Sequence, residues 1–205
     1  SGRTRLLRAL FGLERITRGE VEFAGKRAPR SARAAVIAGI ALTPEDRKLQ
    51  GLFLRKSLVF NLTLAVLDRL TRFGVINRKA EELLCQKFVD SLGIKALTKR
   101  QWVGRLSGGN QQKVVLAKWL ARSPRVLLMD EPTRGIDVAT KAEVYQIMRD
   151  LTGTMRLSIV MVTSELPELL GMSDRIYVMR NGRIAGTLSG SSVSEEQVLS
   201  LAVGE

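Results

Sequence analysis

The feature that most limits what this chain can fold into is the segment Val126-Leu127-Leu128-Met129-Asp130-Glu131-Pro132, an apolar run closed by two carboxylates and a proline. Four consecutive apolar residues make a strand buried on both faces, as the interior of a parallel sheet requires. Ligands of such sheets collect at the carboxyl ends of the strands. Asp130 and Glu131 therefore stand where an Asp can hold Mg²⁺ and a Glu just beyond it can orient or deprotonate a water. The alternative is an ordinary solvated acidic pair at a strand end.

The surrounding pattern alternates strand and helix. A helix is expected from Ser107 to about Arg122, then the strand Val126 to Met129. A helix from Ala139 to Leu151 precedes a strand from Leu157 to Thr163, and a short helix follows over Ser164 to Gly171. Arg175 to Arg180 and Arg183 to Thr187 read as a hairpin about Asn181-Gly182, and Ser194 caps a last helix carrying Val198, Leu199 and Leu201. Upstream, Leu6, Leu7, Leu10 and Phe11 mark an opening helix, and Gly19 to Phe23 alternates as a half-exposed strand. Ser31 caps a helix that Gly39 ends. Ile40 to Thr43 is a buried strand running into the charged loop Pro44-Glu45-Asp46-Arg47-Lys48. Residues 50 to 105 differ: Ser57 to Arg69 and Arg78 to Leu92 are amphipathic helices with no strand expected between them, which reads as an inserted helical subdomain. The fold class is α/β, a mostly parallel sheet flanked by helices.

Composition excludes several chemistries. The 205 residues contain one cysteine, Cys85, and no histidine. An intramolecular disulfide, a cysteine zinc site and every histidine-dependent nucleophile or metal site are thereby absent; Cys85 reads as a small hydrophobe on a helix. No apolar run approaches the roughly 18 residues of a membrane span. The net charge of +13 permits an anionic partner. The basic residues are dispersed and aromatics are only 5%, so no nucleic-acid partner is expected.

Two further segments carry candidate chemistry. In Leu106-Ser107-Gly108-Gly109-Asn110-Gln111-Gln112-Lys113, a hydroxyl and bare glycine N–H groups open a helix, which makes an anion site; a plain glycine-bearing N-cap is the alternative. Gly2-Arg3-Thr4 matches the last three positions of the phosphate loop GxxxxGK[ST], with Arg in place of Lys.

Taken together, "LSGGNQQK" followed by "VLLMDEPTRGID" resembles the signature motif, Walker B strand and D-loop of an ATP-binding-cassette ATPase. The resemblance spans essentially the whole chain. It is strongest to the second cassette of the tandem ATPases that energise bacterial import of ribose, galactose, xylose and related sugars or nucleosides. In that subgroup "PEDRK" fills the Q-loop, "GRT" ends the second Walker A and "SSE" or similar stands at the switch position; this chain has Pro44 to Lys48, Gly2 to Thr4 and Thr163-Ser164-Glu165. The resemblance implies a P-loop NTPase occupying 1–205 as one domain that lacks its N-terminal strands, with the helical (signature) subdomain at 50–105. It implies ATP and Mg²⁺ as cofactors. Gly2, Arg3 and Thr4 would be the remaining phosphate loop, with Thr4 and Asp130 serving Mg²⁺ and Glu131 the attacking water. Glu45 would take the Q-loop place, and Ser107, Gly108 and Gly109 would meet the γ-phosphate of an opposing cassette. Asp137 would be the D-loop aspartate and Ser164 the switch residue. The implied partners are a second cassette, an integral membrane permease and, indirectly, a periplasmic solute-binding protein, at the cytoplasmic face of the bacterial inner membrane.

Three departures from the family pattern bear on this chain's own site. Arg3 replaces a compact ammonium with a planar, bulkier cation. Ser164 stands where other cassettes place a histidine. Most of the phosphate loop lies outside the sequence, and lost donors of this kind cost about 2–4 kcal/mol of transition-state stabilisation each. The isolated fragment is thus expected to be a weak or inactive ATPase. The expected arrangement is an asymmetric pair, in which the Ser107 turn completes a competent site on the partner. A non-hydrolysing nucleotide-binding regulatory module and a soluble cassette acting on nucleic acid are the competing functions.

Overall fold

Residues 2–190 and 193–204 are described by the structure, a computed structural model. The chain enters helix α1 (Arg3–Leu10) from Gly2, whose φ of 89° is a left-handed backbone that suits glycine. A small hairpin pairs β1 (Glu22–Phe23) with β2 (Lys26–Arg27). It is shorter than the strand expected over 19–23, because Gly19 is exposed and left-handed (φ 81°) and leaves the extended path. Helix α2 (Ala32–Ala38) is capped by the Ser31 hydroxyl, which accepts from Ala34 N–H, and ends at left-handed Gly39. Strand β3 (Ile40–Thr43) is buried throughout. The charged loop after it tightens into a π-helical turn, Arg47–Gly51, which Asp46 caps by accepting from the N–H groups of Lys48 (2.9 Å) and Leu49 (3.0 Å).

The helix expected from Ser57 to Arg69 is broken into α3 (Leu58–Thr63), a 3₁₀ turn at Leu64–Val66 and α4 (Leu67–Leu70). The Thr63 hydroxyl donates back to the Val59 carbonyl at 2.7 Å, a contact that bends helices. A two-stranded hairpin, β4 (Thr71–Arg72) with β5 (Val75–Ile76), then appears where no strand was expected. Phe73 (φ 52°) and Gly74 (φ 79°) both lie in the left-handed region, the conformation of a two-residue hairpin turn. Helix α5 (Arg78–Ser91) follows, then α6 (Gly108–Leu120), β6 (Val126–Asp130) and α7 (Val138–Met155). Helix α7 runs past the expected Leu151 and stops at left-handed Arg156. The chain closes with β7 (Ser158–Val162), α8 (Leu166–Met172), the hairpin β8 (Arg175–Arg180) and β9 (Arg183–Ser189), and α9 (Glu195–Val203). Ser194 and Gln197 form a capping box on α9.

The central sheet is parallel, in the order β3-β6-β7, with Leu128 opposite Leu42 on one side and Val160 on the other. The period-two alternation of β6 divides the core. Leu127 and Met129 pack with Leu116, Leu120, Val144 and Met148 from α6 and α7, while Leu128 faces Leu7, Phe11 and Ala35 from α1 and α2. A separate apolar cluster lies between α3, α5 and α6, holding Leu58, Leu62, Cys85, Val103, Val114 and Val115. Helix α6 is buried nearly all round, Gln111, Gln112 and Lys113 included, because it serves both clusters. Burial pushes the Cys85 thiol up to about 11, so it stays protonated and packs as a hydrophobe.

Met129→Ala should lower unfolding free energy by about 2–5 kcal/mol, because the side chain is wholly enclosed. The exposed Ile37→Ala should change it by no more than about 0.5 kcal/mol. Urea titration of both variants checks the contrast.

Candidate functional site

The carboxyl end of β6 meets the first turn of α1. Thr4 Oγ1 donates to Asp130 Oδ1 at 3.2 Å, joining residues 126 positions apart. Asp130 is 3% exposed. Burial is the main cause pushing its carboxyl above the ordinary range, with the Glu131 charge adding to it and the Thr4 bond and Arg3 opposing. Glu131 follows with φ 47°, a region that costs a non-glycine residue about 1–3 kcal/mol. Its N–H is still held, donating to the Val162 carbonyl of β7 at 2.8 Å. The kink turns the Glu131 side chain out of the strand: Ser164 Oγ donates to Oε2 at 3.2 Å, and Arg3 Nη2 lies 3.9 Å from Oε1. Arg3 is also committed elsewhere, donating from Nη1 to the Thr163 carbonyl at 2.8 Å.

Arg3, Thr4, Glu131 and Val162 border an open cavity of about 420 Å³. Gly2, Arg3, Thr4, Arg5 and Arg8 line it, and Glu14, Glu45 and Glu131 contribute carboxylates, Glu14 pairing with Arg5 and Arg8. The backbone amides and guanidinium groups at this rim suit a polyphosphate. The donor set also suits Mg²⁺, a hard cation that takes one or two carboxylates along with phosphate and water oxygens. Thr4 and Asp130 supply hydroxyl and carboxylate oxygen, and a desolvated carboxylate gains from a neighbouring cation. Among the described residues no cluster of three or more His, Cys, Asp or Glu is arranged to hold a metal.

A second group gathers at the start of α6 and α7. Ser107 is exposed, and its hydroxyl accepts from the Asn110 N–H at 3.4 Å and from Asn110 Nδ2 at 2.9 Å. The two glycines after it answer to packing. A Cβ on Gly109 would overlap the Thr140 side chain, and one on Gly108 would lie 2.8 Å from Arg47 Nη2. Asp137 caps α7, accepting from Thr140 N–H (2.9 Å) and Thr140 Oγ1 (2.7 Å), and these bonds hold its carboxyl below the usual range.

Gly2, Arg3, Thr4, Glu45, Asp130, Glu131 and Ser164 are thus drawn together, whereas Ser107, Gly108, Gly109 and Asp137 form a separate patch outside the cavity lining. Glu45 stands at the border, since Arg134 Nη1 pairs with its Oε1. Sequence reasoning missed several residues around these groups. Arg47 read only as loop charge, yet it is 9% exposed and reaches the 134–135 turn. Glu168, 2% exposed, accepts from Thr133 Oγ1 at 3.0 Å beneath the Glu131 loop, and burial pushes its carboxyl up. Its place among Leu166, Leu169 and Leu170 on α8 was the available signal. Lys141 pairs with Glu165, beside Ser164.

With that geometry in hand, comparison with known proteins is specific. The family described as ABC transporter matches residues 1–134. The chain is 47% identical over 204 residues to "Ribose import ATP-binding protein RbsA 1" of Streptomyces avermitilis, covering 99% of this chain and 39% of that protein. It is 42% identical over 205 residues to "Ribose import ATP-binding protein RbsA 2" of Escherichia coli O157:H7, covering 100% and 40%. The chain spans about two fifths of the length of these curated relatives. Among solved structures, the dimeric ATP-binding cassette MJ0796 bound to ADP and Pi superposes with a TM-score of 0.77 at 20% identity, over 92% of this chain and 80% of that one. A nucleotide-free ATP-binding cassette superposes with a TM-score of 0.76, also at 20% identity, over 100% and 81%. The fold is that of a P-loop NTPase cassette.

Glu168 generates a pH prediction. Its folded pKa lies above the unfolded value of about 4.3. The folded state therefore keeps the proton longer, and the stability this contributes is full below that pH and lost as pH rises through the folded pKa. Glu168→Gln keeps an acceptor for Thr133 without a charge. Its urea midpoint should fall less than that of the unaltered chain between about pH 4 and pH 8. Parallel slopes would contradict the reading.

Proposed function

This chain belongs to the ABC transporter family, and from that premise we propose that it is an ATP-binding and hydrolysing component of a bacterial importer of ribose or a related solute. In this reading it lends Ser107-Gly108-Gly109 to a nucleotide held by a second cassette, while its own phosphate site is degenerate. The observation that carries it is the separation of the two groups. The exposed Ser107 turn is absent from the lining of the cavity that Thr4, Glu45 and Glu131 share, which supports a reading in which two cassettes face one another to bring both kinds of group to one triphosphate.

Within the chain's own site the residues divide the work. The Gly2–Thr4 turn and Arg5 receive phosphate charge, and the Thr4 and Asp130 oxygens would hold Mg²⁺. The bound ion would neutralise charge that develops on the phosphate oxygens. Glu131 accepts a proton from the attacking water, with its carboxylate aimed by the left-handed backbone and by Ser164. Two features slow this site. Arg3 is engaged by the Thr163 carbonyl and the Glu131 carboxylate instead of standing free for phosphate. Ser164 offers a short neutral hydroxyl where a longer imidazole would reach the γ-phosphate. The same engagement of Arg3 favours, as a second reading, a cassette that binds nucleotide without hydrolysing it.

The 50–105 stretch acts in this reading as a helical subdomain that carries the signature turn through its shared core with α6. The membrane permease is the direct partner, and a periplasmic solute-binding protein acts through it. Among the described residues no helix is long and apolar enough to cross a membrane, which suits a peripheral place at the inner membrane's cytoplasmic face.

Turnover by the assembled transporter tests the proposal. Ser107→Arg should lower the ATPase rate by about 100-fold or more, the scale of losing a positioned donor. Glu131→Gln should leave most of the rate. Full activity in Ser107→Arg, together with abolition in Glu131→Gln, would overturn the asymmetry.

A further inference from the structure

Arg47 is a buried guanidinium with no carboxylate among its hydrogen-bond partners. Nη1 donates to the Arg134 carbonyl at 2.7 Å and Nη2 to the Gly135 carbonyl at 3.1 Å. Nε is enclosed and has no partner among the described residues. Desolvation is the main cause lowering its pKa, with the Asp46 carboxylate opposing, so this position is an unfavourable one for a cation. A long charged side chain kept there at a cost to stability, and able to reach water were it on the surface, points to a task that a neutral residue does not perform.

The geometry identifies the task. Arg47 begins the π-helical turn after β3, two residues beyond Glu45, and Glu45 itself pairs with Arg134 Nη1. The segment 45–47 therefore grips the 134–135 turn twice, once through a side chain and once through two consecutive carbonyls. That turn leads into Asp137 and α7, against which Gly109 packs. Gly108 closes the circle: a Cβ there would come within 2.8 Å of Arg47 Nη2 and 3.1 Å of the Gly135 carbonyl. Three separate segments, 45–47, 107–109 and 134–137, thus converge on one planar group. Only a guanidinium presents two forked donors to two neighbouring carbonyls while one of its nitrogens sits close against a glycine; an ammonium has neither the plane nor the reach.

We infer that Arg47 is a positioning residue that locks the Ser107-Gly108-Gly109 turn to the 134–137 loop and to the Glu45 segment, so that the three move as one body. The inference rests on the proposed role of the Ser107 turn. Arg47 does not line the cavity that Thr4 and Glu131 share. It sets where the Ser107 hydroxyl and the glycine N–H groups stand when a second cassette closes on them. Its removal should impair the chemical step at the partner's site and leave nucleotide affinity nearly intact, since a displacement of about 1 Å in a positioned group can lower rates up to about 100-fold.

The experiment compares Arg47→Ala, Arg47→Lys and Ser107→Arg in the assembled transporter, with kcat and KM for ATP, and follows hydrogen exchange of the purified chain. Arg47→Ala is expected to lower kcat about 10- to 100-fold with KM changed less than about twofold. Arg47→Lys, with one donor group and no fork, should recover only part of that loss. Amide exchange should quicken in 107–110 and in 133–138 together, with β6 and α5 protected as before. If Ser107→Arg retains full turnover, the proposed role of that turn fails whatever Arg47 does. If Ser107→Arg is inactive while Arg47→Ala keeps its kcat, or if only one of the two segments loosens, the positioning role is overturned. Loss of protection throughout both Arg47 variants would overturn it as well, because a positioning residue leaves the core standing.

Discussion

Burial of β6 on both faces is the constraint from which the rest of the molecule follows. Leu127, Leu128 and Met129 have no path to water, so β3 and β7 must flank the strand and helices must cover both sides. A strand held this tightly cannot slide, and its charged end must emerge at one defined point. Asp130 is the last residue in the ladder and remains nearly enclosed; Glu131 leaves through a left-handed backbone. Near-complete burial of one carboxylate and partial burial of the next is the direct outcome of where the apolar run stops.

Helix α6 ties this sheet to the second apolar cluster. Leu116 and Leu120 pack on β6, while Val114, Val115 and Ala117 pack with α3 and α5. Displacing the helix would disrupt both clusters, which makes its N-terminal turn a stiff presentation for Ser107. Lys113 reinforces it from within, donating to the Gly93 carbonyl at 3.0 Å and pairing with Glu143 on α7 at 2.6 Å. The glycines beside Ser107 are then required by their neighbours, Thr140 and Arg47, as much as by any ligand.

Legibility varied with the range of the interaction involved. The helices over 32–38, 78–91 and 195–203 were readable because caps and apolar spacing are local signals: Ser31 and Ser194 each accept an N–H within their own first turn, and the middle helix shows in its apolar spacing. The β4–β5 hairpin was not, since its turn is Phe73-Gly74 instead of an Asn-Gly pair. The break after Thr63 also escaped notice, because a hydroxyl turned back on its own helix leaves no trace in periodicity. Around the candidate site, Asp130, Glu131 and Ser107 declared themselves by residue type at element ends. Arg47, Thr140 and Glu168 did not, as each matters through a partner tens of positions away.

The sequence by itself determined the α/β alternation, the strand that ends in Asp130-Glu131, the glycine turn after Ser107 and, through the absence of histidine, which chemistries are unavailable. Each is a property of residues within a few positions of one another, where steric and hydrogen-bonding preferences act without the rest of the chain. Only the tertiary structure decided that Thr4 reaches Asp130, that Arg3 spends its donors on Thr163 and faces Glu131, and that the Ser107 turn stands apart from that cavity. Those outcomes depend on how helices settle on a twisted sheet. No local preference encodes the position of one such body against another; the packing of shared apolar faces does.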